Sequence, residues 1–387
     1  MRDTEAMLQL ILDHPEQDGP RLIFADWLTE RGDPRGEFIR LQCELAPLPA
    51  ADARRLEIRS VADALLKLHQ SEWVGGLSEL VSGWRFHRGF IETIFIDAPG
   101  FLQNAERIFR MAPVRHAHLL DVAAHIAPIA RSHFLERLTG LTIFASHAGD
   151  QVARAVVSSP FVGNLLELNL GRNRISDEGV AALVWSPALA NLTALDLSEN
   201  SLAEAAAITL ASSGQITRLA SLNLDHNFIG AGGAHALLSS DRMPALHTLR
   251  LGHNRITQFL PLDDARPLRR FRSLSLSGNG LDGAGIAPLL HSSHLIGLHT
   301  LDLSHNALGD AGAEVLAQSP SVAGLRTLLL SDNRITDAGV RMLASSRHLA
   351  GLTTLRLSNN LIGDAGIQAL LDSPFLQRIS RLVSADP

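Results

Sequence analysis

The chain has 387 residues, 46% hydrophobic but only 5% aromatic with no tyrosine, which calls for an aliphatic core in two domains or one long array. A formal net charge of −6 gives no reason to expect nucleic acid or an anionic membrane as partner, and the single cysteine, Cys43, excludes an intramolecular disulfide and a thiolate metal cage. The opening MRDTEAMLQL carries acids and lacks a signal-type apolar stretch, and no run of 18 uncharged apolar residues occurs, so a cytoplasmic chain with no membrane span is expected.

Residues 1–83 read as helical. A helix is expected from Asp18 through LIFADWLTER to Gly32, and Asp33-Pro34 restarts a second one through EFIRLQCEL as N-cap and first position. Pro47 and Pro49 then break the chain before a longer helix near 51–70. The charged residues Asp26, Glu30, Arg31, Asp33, Arg35, Glu37 and Arg40 have the spacing of intramolecular ion pairs and caps rather than of a catalytic pair. Cys43 reads as a small packing residue. The run ADWLTERGDPRGEFIRLQ, Ala25 to Gln42, closely resembles the repeat-companion domain of bacterial proteins, which commonly precedes leucine-rich repeats; the resemblance implies context and no chemistry.

Trp84 to Pro99 alternates as a strand does, with Ile91, Thr93, Phe95 and Asp97 against Glu92, Ile94 and Ile96. Together with the helices before it, this segment can cap the exposed first core of a repeat array. Val114, Ala117 and Leu119 fit a weak copy of such a repeat, LTGLTIFASHA with Ser146 a better one, and Ile379 with Leu382 begins a last one.

Between these lie eight full copies of L-x-x-L-x-L-x-x-N-x-I/L, from LLELNLGRNRI to LTTLRLSNNLI. Their asparagines are Asn173, Asn200, Asn227, Asn254, Asn279, Asn306, Asn333 and Asn360, spaced by 27 residues except for 25 between Asn254 and Asn279. The alternating leucines define a short strand with one buried face. Each asparagine turns the chain inward, where its amide can satisfy backbone groups that a buried turn leaves unpaired. The D-E/A-G that follows (Asp177, Asp310, Asp337, Asp364) supplies an N-cap and a small residue for close helix packing, and Val340, Leu343 and Ala344 then share one helix face. Strands stack about 4.8 Å apart and helices about 8–10 Å, so such an array curves, with strands inside and helices outside. The link QFLPLDDARPLRR is two residues short and holds Pro261 and Pro267, so no full helix is expected across 258–269. With a helix per repeat and a period near 27, residues 114–387 resemble the ribonuclease-inhibitor type of leucine-rich repeat. The fold expected is α/β, a leucine-rich-repeat solenoid with an N-terminal all-α cap domain. It divides into a helical domain 1–83, a capping and degenerate repeat region 84–137, and a solenoid 138–387.

Two outward columns vary while the leucine core stays uniform, which is what selective recognition requires. The column between the second and third leucines contains Asn169, Asp196, Asn223, Arg250, Asp302 and Arg356; the column before the asparagine contains Arg172, Glu199, His226, His253, His305 and Asp332. These are the expected protein-binding residues. His226, His253 and His305 share a column, but no carboxylate completes a ligand set and Gly278 interrupts it, so no metal is expected. GAGGA at 230–234 belongs to a repeat turn and is not a phosphate loop. No catalytic residue and no cofactor is expected. The function expected is a non-catalytic scaffold or sensor that binds a protein partner, the alternative being a regulator of a partner enzyme, such as a GTPase activator or an enzyme inhibitor.

Overall fold

A computed structural model describes residues 2–49, 52–262 and 270–383, in two compact units: residues 1–146 with 159–165, and residues 147–158 with 166–387.

The first unit begins with four helices, α1 (Arg2–Asp13), α2 (Asp18–Thr29), α3 (Arg35–Leu45) and α4 (Arg54–Val74). The expected start of α3 is observed, since the Asp33 carboxylate accepts the Arg35 backbone N–H at 2.8 Å. Arg40 pairs with Asp26 across α2 and α3, and Arg31 lies 3.9 Å above the Trp27 ring. A hairpin of β1 (Gly83–His87) and β2 (Phe90–Asp97) follows. It turns through Arg88 and Gly89, both with positive φ, as a two-residue hairpin loop requires. Then come α5 (Ala98–Met111), β3 (His116–Leu120), α6 (Ile126–Ala130) and β4 (Gly140–Thr142); β2, β3 and β4 are parallel.

The alternation in β2 places Glu92 in line with Ile94 and Ile96, and it is buried with them. Its partner comes from α2: Arg21 is fully buried and meets Glu92 at 2.7 Å. Arg88 (3.1 Å) and His87 (3.0 Å) reach the same carboxylate, and Arg21 also donates to the Pro15 carbonyl at 2.7 Å. Burial alone pushes the Glu92 carboxyl up; the His87 hydrogen bond and the two guanidinium groups outweigh it and hold the group below the usual range. Beside this knot, burial pushes the Cys43 thiol up to about 11, so it is a protonated packing group, not a nucleophile.

In the second unit, helices and strands alternate. They run α7 (Asp150–Ser158), β5 (Glu167–Asn169), α8 (Asp177–Val184), β6 (Ala194–Asp196), α9 (Glu204–Ser212), β7 (Ser221–Asn223), α10 (Gly230–Ser239) and β8 (Thr248–Arg250). After residues 251–262, which form no helix, come β9 (Ser273–Ser275), α11 (Gly283–Leu290), β10 (Thr300–Asp302), α12 (Gly309–Gln318), β11 (Thr327–Leu329), α13 (Asp337–Ala344), β12 (Thr354–Arg356), α14 (Asp364–Leu371) and β13 (Arg381–Val383). Strands β5 to β13 pair in sequence order, all parallel and residue for residue, so Leu168, Leu195, Leu222 and their successors form one buried row. Val340, Leu343 and Ala344 are buried from the helical side, as their spacing predicts. Residues 255–262 form no helix, and the rest of the proline-bearing window, 263–269, lies outside the described residues. Pro261 and Leu262 there line a groove against Ala287 and Pro288 of α11.

Buried polar ladders join one repeat to the next. Asn306 donates through Nδ2 to Leu276 O (3.0 Å), Leu303 O (2.9 Å) and Ser304 O (3.2 Å), while its Oδ1 accepts from the N–H groups of Asn279 (3.0 Å) and Leu281 (2.9 Å). Asn200, Asn227, Asn279 and Asn360 likewise bond within their own and the preceding repeat. Asn173, Asn254 and Asn333 are buried, and each donates to turn carbonyls. A second ladder was not foreseen: the hydroxyls of Ser213, Ser240, Ser319, Ser346 and Ser373 each donate to a carbonyl at the end of the preceding repeat's helix, at 2.5–2.6 Å.

The D-E/A-G aspartates correct the sequence reading. They do not cap their own helices. Asp310 accepts from the backbone N–H of Thr336 (2.8 Å) and Gly339 (3.0 Å), 26 and 29 residues on, and Asp337 does the same for Gly363 and Gly366. The caps of α8 and α13 are the hydroxyls of Ser176 and Thr336. The glycine is needed because a Cβ on Gly339 would collide with the Asp310 carboxylate and lie 2.8 Å from Ile335 Cγ2. In the repeat after the one in which Gln258 occupies the aspartate position, Asp282 caps its own helix α11 by accepting from Gly285 N at 2.7 Å.

Candidate protein-binding face

Within each regular repeat the middle strand residue points into the leucine core, and its two neighbours face outward, half-buried or exposed. The pairing therefore places the first predicted column side by side: Asn169 by Asp196, Asp196 by Asn223, Asn223 by Arg250, and Arg250 by Ser275, then Asp302, Leu329 and Arg356.

Four of these residues also serve the scaffold. The side-chain oxygens of Asn169, Asp196, Asn223 and Asp302 each accept the backbone N–H two residues on, at 2.9–3.0 Å. Asn223 additionally donates to Asp196 at 3.0 Å. An arginine cannot accept, and at Arg250 a neighbour takes over. The buried Asp225 reaches across to accept Gly252 N at 2.7 Å, and it holds Arg250 through Nε (2.6 Å) and Nη2 (2.5 Å). Asp225 was missed in the sequence because its position is glycine or serine in the other full copies. Arg356 differs from the rest: its side chain is exposed and makes no hydrogen bond or ion pair among the described residues.

The second column lies on the turn, and its backbone is unusual. Arg172, Glu199, His226, His253, His305, Asp332 and Asn359 all have φ between 52° and 61°, the left-handed region, and Gly278 has 66°. Their side chains pair along the array: Arg172 with Glu199 (3.3 Å) and His305 with Asp332 (3.1 Å). The imidazoles of His226 and His253 stack with centroids 4.1 Å apart and planes within 7°. The His253 ring also covers Gly278, where any Cβ would collide with it. Burial first, then His226 and the more distant His305, lowers the His253 pKa against the opposing pull of Asp225. Parallel stacking directs the two rings at each other's faces rather than their nitrogens at a shared point. Among the described residues no three His, Cys, Asp or Glu side chains cluster to hold a metal.

The leucine-rich-repeat family model matches residues 164–184, 297–317, 325–344 and 350–371, each beginning at or within two residues of the first leucine of a copy. The chain contains leucine-rich repeats. No curated protein sequence matches it. Among solved structures, internalin C2 of Listeria monocytogenes is 20% identical over 69% of this chain and 92% of its own, with a TM-score of 0.42. An internalin (inlF) of the same organism is 20% identical over 89% of this chain and all of its own, at 0.40. TLR13, solved with an RNA named ssRNA13, is 20% identical over 70% of this chain and 36% of its own, at 0.45. The assignment of the leucine-rich repeats rests on the family matches and on the strand and asparagine geometry. Among the described residues no helix is long and apolar enough to cross a membrane.

Proposed function

We propose that this leucine-rich-repeat chain is a non-catalytic scaffold that recognises a protein partner through the outward face of strands β5 to β12 and the adjoining turns. One observation carries the reading. A leucine row that scarcely changes between repeats supports an outward row that changes from amide to acid to guanidinium to hydroxyl to aliphatic at each strand step. A rigid backbone with independently variable side chains favours selective contact with an extended surface. Arg356 is the strongest anchor: an exposed guanidinium with no hydrogen bond or ion pair among the described residues offers its donors to a partner, and arginine is enriched among interface hot spots. Arg250, two of whose donors face Asp225, positions a second charge about 19 Å away, four strand steps at about 4.8 Å.

The test is quantitative capture from the source cell. Replacing Arg250 and Arg356 together with alanine is expected to weaken capture of the native partner at least about tenfold. Arg356→Ala alone should account for most of that, because it leaves no buried carboxylate unpaired. Arg341→Ala with Gln368→Ala on the helical side is the control. Loss of capture in the helical-side pair with full capture in the strand-side pair would place recognition on the wrong face.

A further inference from the structure

A row of basic residues lies at the edge where strands β8 to β11 begin. His247, Arg272, His299 and Arg326 each follow the first apolar residue of a copy and immediately precede its strand. Backbone bonds tie them into a ladder: Arg272 N donates to His247 O (2.8 Å), His299 N to Arg272 O (2.8 Å), and Arg326 N to His299 O (2.9 Å). At about 4.8 Å per step the row is about 14 Å long. His247, Arg272 and Arg326 are exposed and His299 is half-buried.

Their side-chain contacts among the described residues are to neutral groups. Arg272 donates to the Gly297 carbonyl at 3.1 Å, and His299 Nδ1 lies 2.7 Å from that same carbonyl, which can only accept. The imidazole therefore carries its Nδ1 proton there and keeps Nε2 for another partner. His247 Nδ1 meets the Thr248 hydroxyl at 3.0 Å. One residue on, Thr248, Ser273, Thr300 and Thr327 add a parallel row of half-buried hydroxyls. The basic row ends cleanly, with Ala220 before it and Thr353 after it.

We infer that this edge is the docking strip for an acidic, extended segment of a protein partner; the inference rests on the strand-face reading above and specifies the partner's chemistry. An extended chain rises about 3.3 Å per residue and repeats its side chains on one face about every 6.6 Å, so about 14 Å accommodates two or three carboxylates. Two guanidinium groups offer paired donors to such carboxylates, and the hydroxyl row offers further hydrogen bonds. Width selects against a nucleic acid. Three residues beyond the strip's His299, on the outward face that β10 shares with Thr300, stands Asp302, and Asp332 lies on the turn after β11, so a broad polyanion meets repulsion. The strip itself holds no Phe, Tyr or Trp side chain on which a base could stack.

Fluorescence anisotropy with the full chain tests this, using a fluorescein-labelled ten-residue peptide of alternating Glu and Ser. The same peptide with Gln for Glu and an oligouridylate of equal length serve as comparison probes. The Glu peptide is expected to bind, more weakly as salt is raised, and the Gln peptide to lose binding. Arg272→Gln with Arg326→Gln should lower affinity for the Glu peptide at least about tenfold. If the pair melts at a lower temperature than the parent, Arg326→Gln alone decides, since among the described residues that side chain makes no hydrogen bond or ion pair; it should still weaken binding severalfold. Unchanged affinity in these variants, equal binding of the Gln peptide, or tighter binding of the oligouridylate overturns the strip. Arg356→Ala separates the two proposals. If it abolishes native capture while the strip variants leave both capture and peptide binding intact, the strand face stands and the strip fails.

Discussion

In the unit formed by residues 1–146 and 159–165, a charged knot occurs once: the buried Arg21 and Glu92 and the half-buried Arg88 converge from α2, β2 and the hairpin turn. In the repeat unit neutral groups recur, as asparagine amides and helix-end serines hand bonds to the neighbouring repeat, and the buried Asp225 beside Arg250 is a local charged exception. A unique charged knot fixes one packing arrangement, but removing either partner strands the other in a region of low dielectric. A neutral ladder spreads the same requirement over many equivalent rungs, each of modest worth. The charged solution suits an irregular junction of helices and hairpin; the ladder suits a structure that must repeat.

The largest expected effect follows from breaking the knot. Arg21→Ala leaves Glu92 buried without its closest partner and should destabilise the first unit by about 3–5 kcal/mol. Denaturant unfolding followed through Trp27, Trp73 and Trp84 measures it, and a loss under about 1 kcal/mol would show that water relieves the site. The same knot predicts acid sensitivity. The Glu92 pKa is lower in the folded chain than in the unfolded one, so its contribution is complete above about pH 4.3 and is lost as pH falls through the folded value. Glu92→Gln should flatten that acid limb of the stability curve, whatever it does to stability at neutral pH.

Asn306→Ala tests the ladder. Five bonds disappear, three of them donated to carbonyls in a buried turn, and a loss of about 1–3 kcal/mol is expected from thermal or denaturant melts. A melt identical to the parent would mean that backbone and water satisfy the turn unaided. Gly339→Ala probes the carboxylate that passes between repeats and should cost toward the lower end of about 1–3 kcal/mol, whereas Gly214→Ala, with nothing near its Cβ, should be close to neutral. Equal melts for the two alanine variants would remove the packing role assigned to that glycine. The smallest effect concerns the stacked imidazoles. By NMR titration His253 should take up its proton below the ordinary histidine range, and His226→Ala should move the midpoint upward; no movement would remove His226 as a cause.

Much of the candidate face was legible beforehand because strand alternation and a fixed period specify which side chains share a row. Neither states what a side chain does once there. Asn169, Asp196, Asn223 and Asp302 look variable and solvent-facing, yet each closes a local backbone bond. Asp225 hides at a position filled elsewhere by glycine or serine, and its role emerges only beside Arg250.

The sequence by itself determined the repeat, its strands and helices, the buried asparagines and the helix-less stretch through residue 262, because hydrophobic period, turn chemistry and proline geometry are local properties of the chain. Only the tertiary structure decided that Asp310 and Asp337 serve the following repeat, that serines tie off the preceding helices, and that Arg21 lies against Glu92. Those bonds join residues 26 to 71 positions apart, and their formation depends on how closely the backbones approach after the leucine rows have packed.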